Sequence, residues 1–259
     1  MSADPPPGER RSTFADGLRL AAGTLSVFPV RPGVVDRRTG GIAMTVAPLA
    51  GALLGGACAA VLAVALWLGL APPLAAALAV AALALFTRGL HLDGLADLAD
   101  GLGSAKPAEQ ALEIMKKSDI GPFGVVTLIL TLLVQVTALA QVTASGTGPA
   151  ALVVACATGR LALTWACRAG VPAARPGGLG SLVAGTVRPG PALAVTALTL
   201  LGAALAGPRA VLAVPVGLLA AWALRRRAVR RLGGVTGDVL GALVETATAV
   251  ALVVCATGG

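Results

Sequence analysis

The chain has 259 residues, of which 56% are hydrophobic and only 12% charged, whereas a soluble domain carries about 25% charged residues. That deficit excludes an ordinary water-soluble fold and points to lipid. The net charge of +8 does not indicate nucleic acid, because no aromatic residues interleave with the arginines to stack on bases and no recognition module is present.

Met1 to Arg11 is polar and proline-rich and is not followed by the short apolar core and small-residue cleavage site of a secretory leader. Phe14 to Val30, moderately apolar with Asp16 and Arg19 on it, suits a short helix lying on the membrane. A bilayer-spanning helix needs about 20 mainly apolar residues. Met44 to Leu70, Pro73 to Leu90, Val125 to Val142, Pro149 to Ala166, Ala192 to Ala206, Val211 to Leu224 and Val239 to Val254 each come near that length. The expected fold is therefore all-α, a polytopic integral membrane bundle of about seven transmembrane helices. Residues 1–42 form a cytoplasmic N-terminal segment with its interfacial helix, and residues 43–259 a membrane-embedded catalytic domain.

Alanine, leucine, valine and glycine dominate the spans, and small residues let helix backbones approach closely within lipid. Trp67, Trp165 and Trp222 lie near span ends and read as interfacial anchors. Cys58, Cys156, Cys167 and Cys255 lack CxxC spacing and read as buried small residues. Basic residues mark cytoplasmic loops, and an internal N-terminus places Arg10, Arg11, Arg19, Arg31, Arg37 and Arg38 inside. The same count puts Lys106, Lys116, Lys117, Arg168, Arg175, Arg188 and the Arg225 to Arg231 cluster inside, leaving Arg209 as the one basic residue of an outer loop. The arginine cluster also suits attraction to anionic lipid headgroups.

The informative stretch is Arg88-Gly-Leu-His91-Leu-Asp93-Gly94-Leu-Ala-Asp97-Leu-Ala-Asp100-Gly101. Offsets of four and seven return to nearly one direction on a helix, so Asp93, Asp97 and Asp100 share a face unless Gly94 and Gly101 bend the backbone. Like charges at such spacing repel, and no intervening lysine or arginine neutralises them. Mg²⁺ uses a few carboxylates together with phosphate oxygens and water, so a metal–phosphate site fits this trio. The bland alternative is a solvated acidic helix end, although ionisable groups at a membrane boundary are costly and functional by default. His91 reads equally as a base, a ligand or a structural hydrogen-bonding group.

Arg160 lies in the middle of a span, where a guanidinium requires a carboxylate, a phosphate or a water-filled cavity. Asp238 opens the last span as a site residue or an N-terminal cap, with Glu245 on the same helical face. Arg168 and Arg175, followed by Pro176-Gly177-Gly178-Leu179-Gly180, form a charged, flexible loop suited to clamping a pyrophosphate, or simply reflect the inside bias.

Assembled in order, four segments carry a resemblance over nearly the whole chain. They are His91 to Asp97 with Asp100-Gly101, Leu112-Glu-Ile-Met-Lys116 with Ile120-Gly121 and Phe123-Gly124, Ala174-Arg175-Pro176 with Gly178-Leu179, and Gly233-Gly234 with Thr236 to Ala242. The chain resembles the cobalamin synthase family, the adenosylcobinamide-GDP ribazoletransferases. One departure stands out: Lys117 and Asp119 occupy positions where that family often has an acidic and then a basic residue, and neither is assigned a role. The resemblance implies transfer of a phosphocobinamide group from adenosylcobinamide-GDP to a ribose hydroxyl of α-ribazole or its 5′-phosphate, with release of GMP and dependence on Mg²⁺. It implies Asp93 and Asp97 on Mg²⁺, with Asp100 completing the metal shell or taking the acceptor proton. His91, Lys116, Arg160, Arg175 and Asp238 are the expected substrate contacts, in the cell membrane with the site facing the cytoplasm. Homo-oligomerisation is left open.

Two rivals remain at this point. A CDP-alcohol phosphotransferase also uses clustered aspartates and Mg²⁺, but its longer pattern includes an alanine–arginine pair that Gly94-Leu-Ala-Asp97 lacks. A transporter would use Arg160 and Glu245 along its pathway, yet the aspartates cluster at one face rather than the midplane.

Overall fold

The computed structural model describes residues 12–31 and 33–258; Arg10 and Arg11 lie outside the described residues. The described chain is helical: α1 (Phe14–Leu25), α2 (Arg37–Trp67), α3 (Pro72–Phe86), α4 (Leu90–Gly103), α5 (Ala108–Ile114), α6 (Pro122–Ala144), α7 (Gly148–Ala166), α8 (Gly178–Val183), α9 (Pro189–Ala204), α10 (Pro208–Leu232) and α11 (Gly237–Ala256). Proline stands in the first turn of α3, α6, α7, α9 and α10, where its missing N–H costs nothing and its fixed φ favours the helix. Thr13 and Asp16 form a capping box that starts α1, and Asp36 and Thr39 form another that starts α2.

Each of the seven expected spans falls on a helix. By length and apolarity alone, α2, α6, α7, α10 and α11 qualify as spans, and α3 with α4 passes only as a pair bent by 88°. With its 16 residues, α9 is about 24 Å long and falls short of a hydrocarbon core of about 30 Å. At 31 residues, α2 is about 46 Å long and overshoots that core. It begins at Arg37 and so crosses the expected boundary at 42/43.

Contacts between loops and helix ends fix the direction of α2, α6, α10 and α11. Arg37 at the start of α2 donates to the carbonyl oxygens of Ser181 in α8 and Ala184 at its end. Arg231 at the end of α10 donates to Lys106 before α5. At the other end, Arg209 at the start of α10 donates to Gly258, and Gln141 near the end of α6 donates to Ala256. One end of the bundle thus carries the lysines and arginines of the loops, and Arg209 alone marks the opposite end among the described residues.

The buried centre is formed by α7 and α11, flanked by α2, α4, α6 and α10. Close approach depends on small residues: a Cβ on Gly55 of α2 would fall 2.8 Å from the Val153 Cα of α7. Cys58, Cys156, Cys167 and Cys255 are all buried and free, as expected of small core residues. Trp67 is 84% exposed at the end of α2, in keeping with an interfacial anchor.

Candidate active site

After α3 the chain reverses through Arg88 and Gly89, both in the left-handed region at φ 55° and 68°. This turn sets α4 almost perpendicular to α3 and lays it across the arginine-rich end, so the expected span Pro73 to Leu90 ends instead at Phe86. Gly94 and Gly101 do not bend α4, which runs unbroken from Leu90 to Gly103. Gly94 serves close packing instead: a Cβ there would come within 2.7 Å of the Asp238 carbonyl oxygen. The start of α11 is thereby pressed directly against the acidic face of α4.

The three aspartates have different surroundings. Asp93 is exposed, Asp97 is half-buried and Asp100 is buried. The Asp100 carboxylate accepts the backbone N–H groups of Gly121 (2.8 Å) and Gly124 (3.0 Å), and so caps the N-terminus of α6. Asp97 feels burial first and then the negative charges of Asp93, Asp238 and Asp100, which together push its carboxyl up to about 7 while Arg175 pulls it down.

Arg175 reaches this face because its loop is stitched in place. Ala174 donates to Val235 (3.1 Å) and Val235 donates to Pro172 (2.9 Å), across a contact so close that Gly234 has no room for a side chain. The Arg175 Nη2 lies 3.6 Å from Asp238 Oδ2, and its Nη1 is buried with no partner. Asp238 is not the cap of α11; Thr236 fills that place by accepting the Val239 N–H, and its hydroxyl also donates to Asp238 (3.1 Å). Two small cavities flank the aspartates. One of about 150 Å³ is lined by His91, Asp93 and Asp238, and one of about 200 Å³ by Asp97, Asp100, Lys117 and Asp119.

His91 and Arg160 lie deeper. Arg160 is 0% exposed, with its Nη2 3.4 Å from His91 Nδ1 and its Nε and Nη1 unpartnered. A guanidinium only donates, so a hydrogen bond here requires Nδ1 as the acceptor. Glu245, buried nearby in the same core, is held by the Gln135 side-chain amide at 2.7 Å. Lys116 is on the surface and pairs with Glu113 at 2.6 Å.

The structure therefore gathers Asp93, Asp97, Asp238 and Arg175, sets His91 at their edge with Arg160 behind it, and leaves Lys116 outside. Among the described residues no group of three metal-ligating side chains is closed around a point. The donor chemistry nevertheless suits a hard divalent cation, because Asp93, Asp97 and Asp238 offer only carboxylate oxygens, and Arg175 opposes the negative charge at Asp97 and Asp238. Sequence reading did not name Lys117 and Asp119 as lining residues of the Asp97 cavity, nor Gln135 as the partner of Glu245. An amide within an apolar run was a usable signal for Gln135.

These features define a polytopic helical membrane protein with a carboxylate-rich site, braced by arginine, at one end of its bundle. A family model described as cobalamin-5-phosphate synthase matches residues 17–256. The chain is 46% identical to an adenosylcobinamide-GDP ribazoletransferase of Frankia casuarinae, over 92% of this chain and 93% of the relative. It is 44% identical to one from a Nocardioides species (92% and 96% covered) and 40% identical to one from Bradyrhizobium diazoefficiens (95% of each). No solved structure matches. The chain belongs to the cobalamin-5-phosphate synthase family and is a transferase of cobalamin biosynthesis.

Proposed function

We propose that the protein joins adenosylcobinamide-GDP to α-ribazole or α-ribazole 5′-phosphate, releasing GMP, at the aspartate site on α4. The observation that carries this reading is the convergence of Asp93, Asp97 and Asp238 with a partly unpartnered Arg175 at one end of the bundle. In the reaction the acceptor ribose hydroxyl attacks the phosphorus next to cobinamide. The bond from that phosphorus to the bridging oxygen breaks, and GMP leaves with the bridging oxygen.

Such a displacement needs in-line positioning and stabilisation of charge on the leaving diphosphate oxygens. Arg175 supplies fixed positive charge beside the carboxylates, and its buried Nη1 carries N–H groups that no protein acceptor satisfies. Asp93 and Asp97, with Asp238 beside them, are the residues that would hold Mg²⁺, which neutralises phosphate charge when bound. A carboxylate of this face that the cation does not engage takes the hydroxyl proton. Asp100, engaged by two backbone N–H groups, holds the start of α6 in position and fixes the wall of the second cavity. His91 lines the first cavity, with Arg160 behind it.

The excess of arginine and lysine at this end supports a cytoplasmic orientation in the cell membrane. The test is to incubate membranes carrying the protein with adenosylcobinamide-GDP, α-ribazole 5′-phosphate and Mg²⁺. Release of GMP in equal amount with the joined product supports the assignment; substrate recovered intact refutes it.

A further inference from the structure

A second site lies away from the aspartates. Between α7 and α10 runs a groove of about 500 Å³ whose walls include Trp165, Leu218, Leu219 and Trp222, with Arg168 and Arg225 also lining it. No acidic residue lines it, and neither arginine takes part in an ion pair among the described residues. The two guanidinium groups are close enough for their charges to repel. The Arg225 Nη1 donates to the Trp165 carbonyl oxygen at 3.0 Å, which holds this side chain at the groove. The indole N–H of Trp165 is already satisfied by Thr196 at 3.0 Å, so the ring offers only its apolar face.

From Pro215 to Arg225 the lining of α10 extends for about 15 Å, which is the depth of one leaflet of a hydrocarbon core of about 30 Å. We propose that this groove binds one anionic phospholipid, with its phosphate between Arg168 and Arg225 and an acyl chain along Trp165, Leu218, Leu219 and Trp222. Basic pockets between spanning helices recognise anionic headgroups in this way. A second copy related by a two-fold axis is a poor occupant, because it would bring a like-charged arginine pair to the same place. The apolar lining argues against a free phosphate, which has nothing to bury there. Arg168 therefore belongs to this groove, whereas Arg175, from the same loop, belongs to the aspartate site.

The test uses the full chain in neutral detergent, with lipid binding read by native mass spectrometry and independent of turnover. Phosphatidylglycerol should bind as a single copy in preference to phosphatidylcholine with the same acyl chains. Each arginine contributes on the order of fivefold, so Arg168→Gln with Arg225→Gln should weaken phosphatidylglycerol about 25-fold and leave phosphatidylcholine unchanged. Arg168→Lys with Arg225→Lys, which keeps both charges, should retain the preference for phosphatidylglycerol and separates lost charge from misfolding. Arg209→Gln, at the opposite end, should have no effect. Equal binding of the two lipids by the parent protein would overturn the proposal, as would an undiminished preference in the glutamine variant or displacement of the lipid by inorganic phosphate at millimolar concentration.

Discussion

The charge on Asp97 makes a prediction that does not depend on turnover. Its carboxyl titrates at about 7 in the folded protein, against an ordinary value of about 3.9. The folded state therefore holds this proton more firmly than the unfolded chain. The associated stabilisation is fully present below about pH 4 and is lost as the pH rises through about 7. A cation bound at Asp97 must displace the proton, so its apparent affinity should fall about tenfold between pH 8, where the group is mostly ionised, and pH 6, where it is mostly protonated. Tenfold in affinity corresponds to about 1.4 kcal/mol when Mg²⁺ is well above both dissociation constants, or on the order of 3–5 °C in thermal midpoint for a chain of this size. The assay is thermal unfolding of the detergent-purified protein at both pH values, with and without millimolar Mg²⁺, followed by tryptophan fluorescence. The Mg²⁺-induced rise should be larger at pH 8, and Asp97→Asn should remove the difference between the two pH values. An equal rise at both pH values in the parent protein, or a pH-dependent rise surviving in Asp97→Asn, would refute the reasoning.

Arg175→Ala should lower kcat/KM by about 10²–10³, as loss of a fixed electrostatic donor does, while changing the thermal midpoint little because its pair with Asp238 is partly exposed. Gly94→Ala should cost about 1–3 kcal/mol in denaturant unfolding, since the added methyl meets the start of α11, and activity should fall with it. Gln135→Leu leaves the buried Glu245 without its donor and should destabilise by about 1–3 kcal/mol; Glu245→Leu in the same background should restore part of the loss.

The positions of the apolar helices were legible because hydropathy depends on local composition alone. The turn after α3 was not, since hydropathy continues through Leu90 while Arg88 and Gly89 take left-handed backbone angles that hydropathy does not register. The acidic face of α4 was legible from helical spacing, and the structure keeps Asp93 and Asp97 at the surface of the site. The state of Asp100 was not, because its partners Gly121 and Gly124 lie on another helix and are defined only by the tertiary fold. Arg160 was recognised as needing a partner, and the structure gives it His91 rather than an aspartate. The pairing of Arg175 with Asp238 depends on the stitched loop before α8, which no local pattern announces.

The most direct measurement is turnover by Asp97→Asn compared with the parent protein, both reconstituted at equal inserted amount and matched thermal midpoint, with GMP release from adenosylcobinamide-GDP as the readout. A fall of at least a hundredfold in the variant is expected. Parent-like turnover from the variant would remove the α4 aspartates from the chemistry and require the transfer to occur elsewhere in the protein.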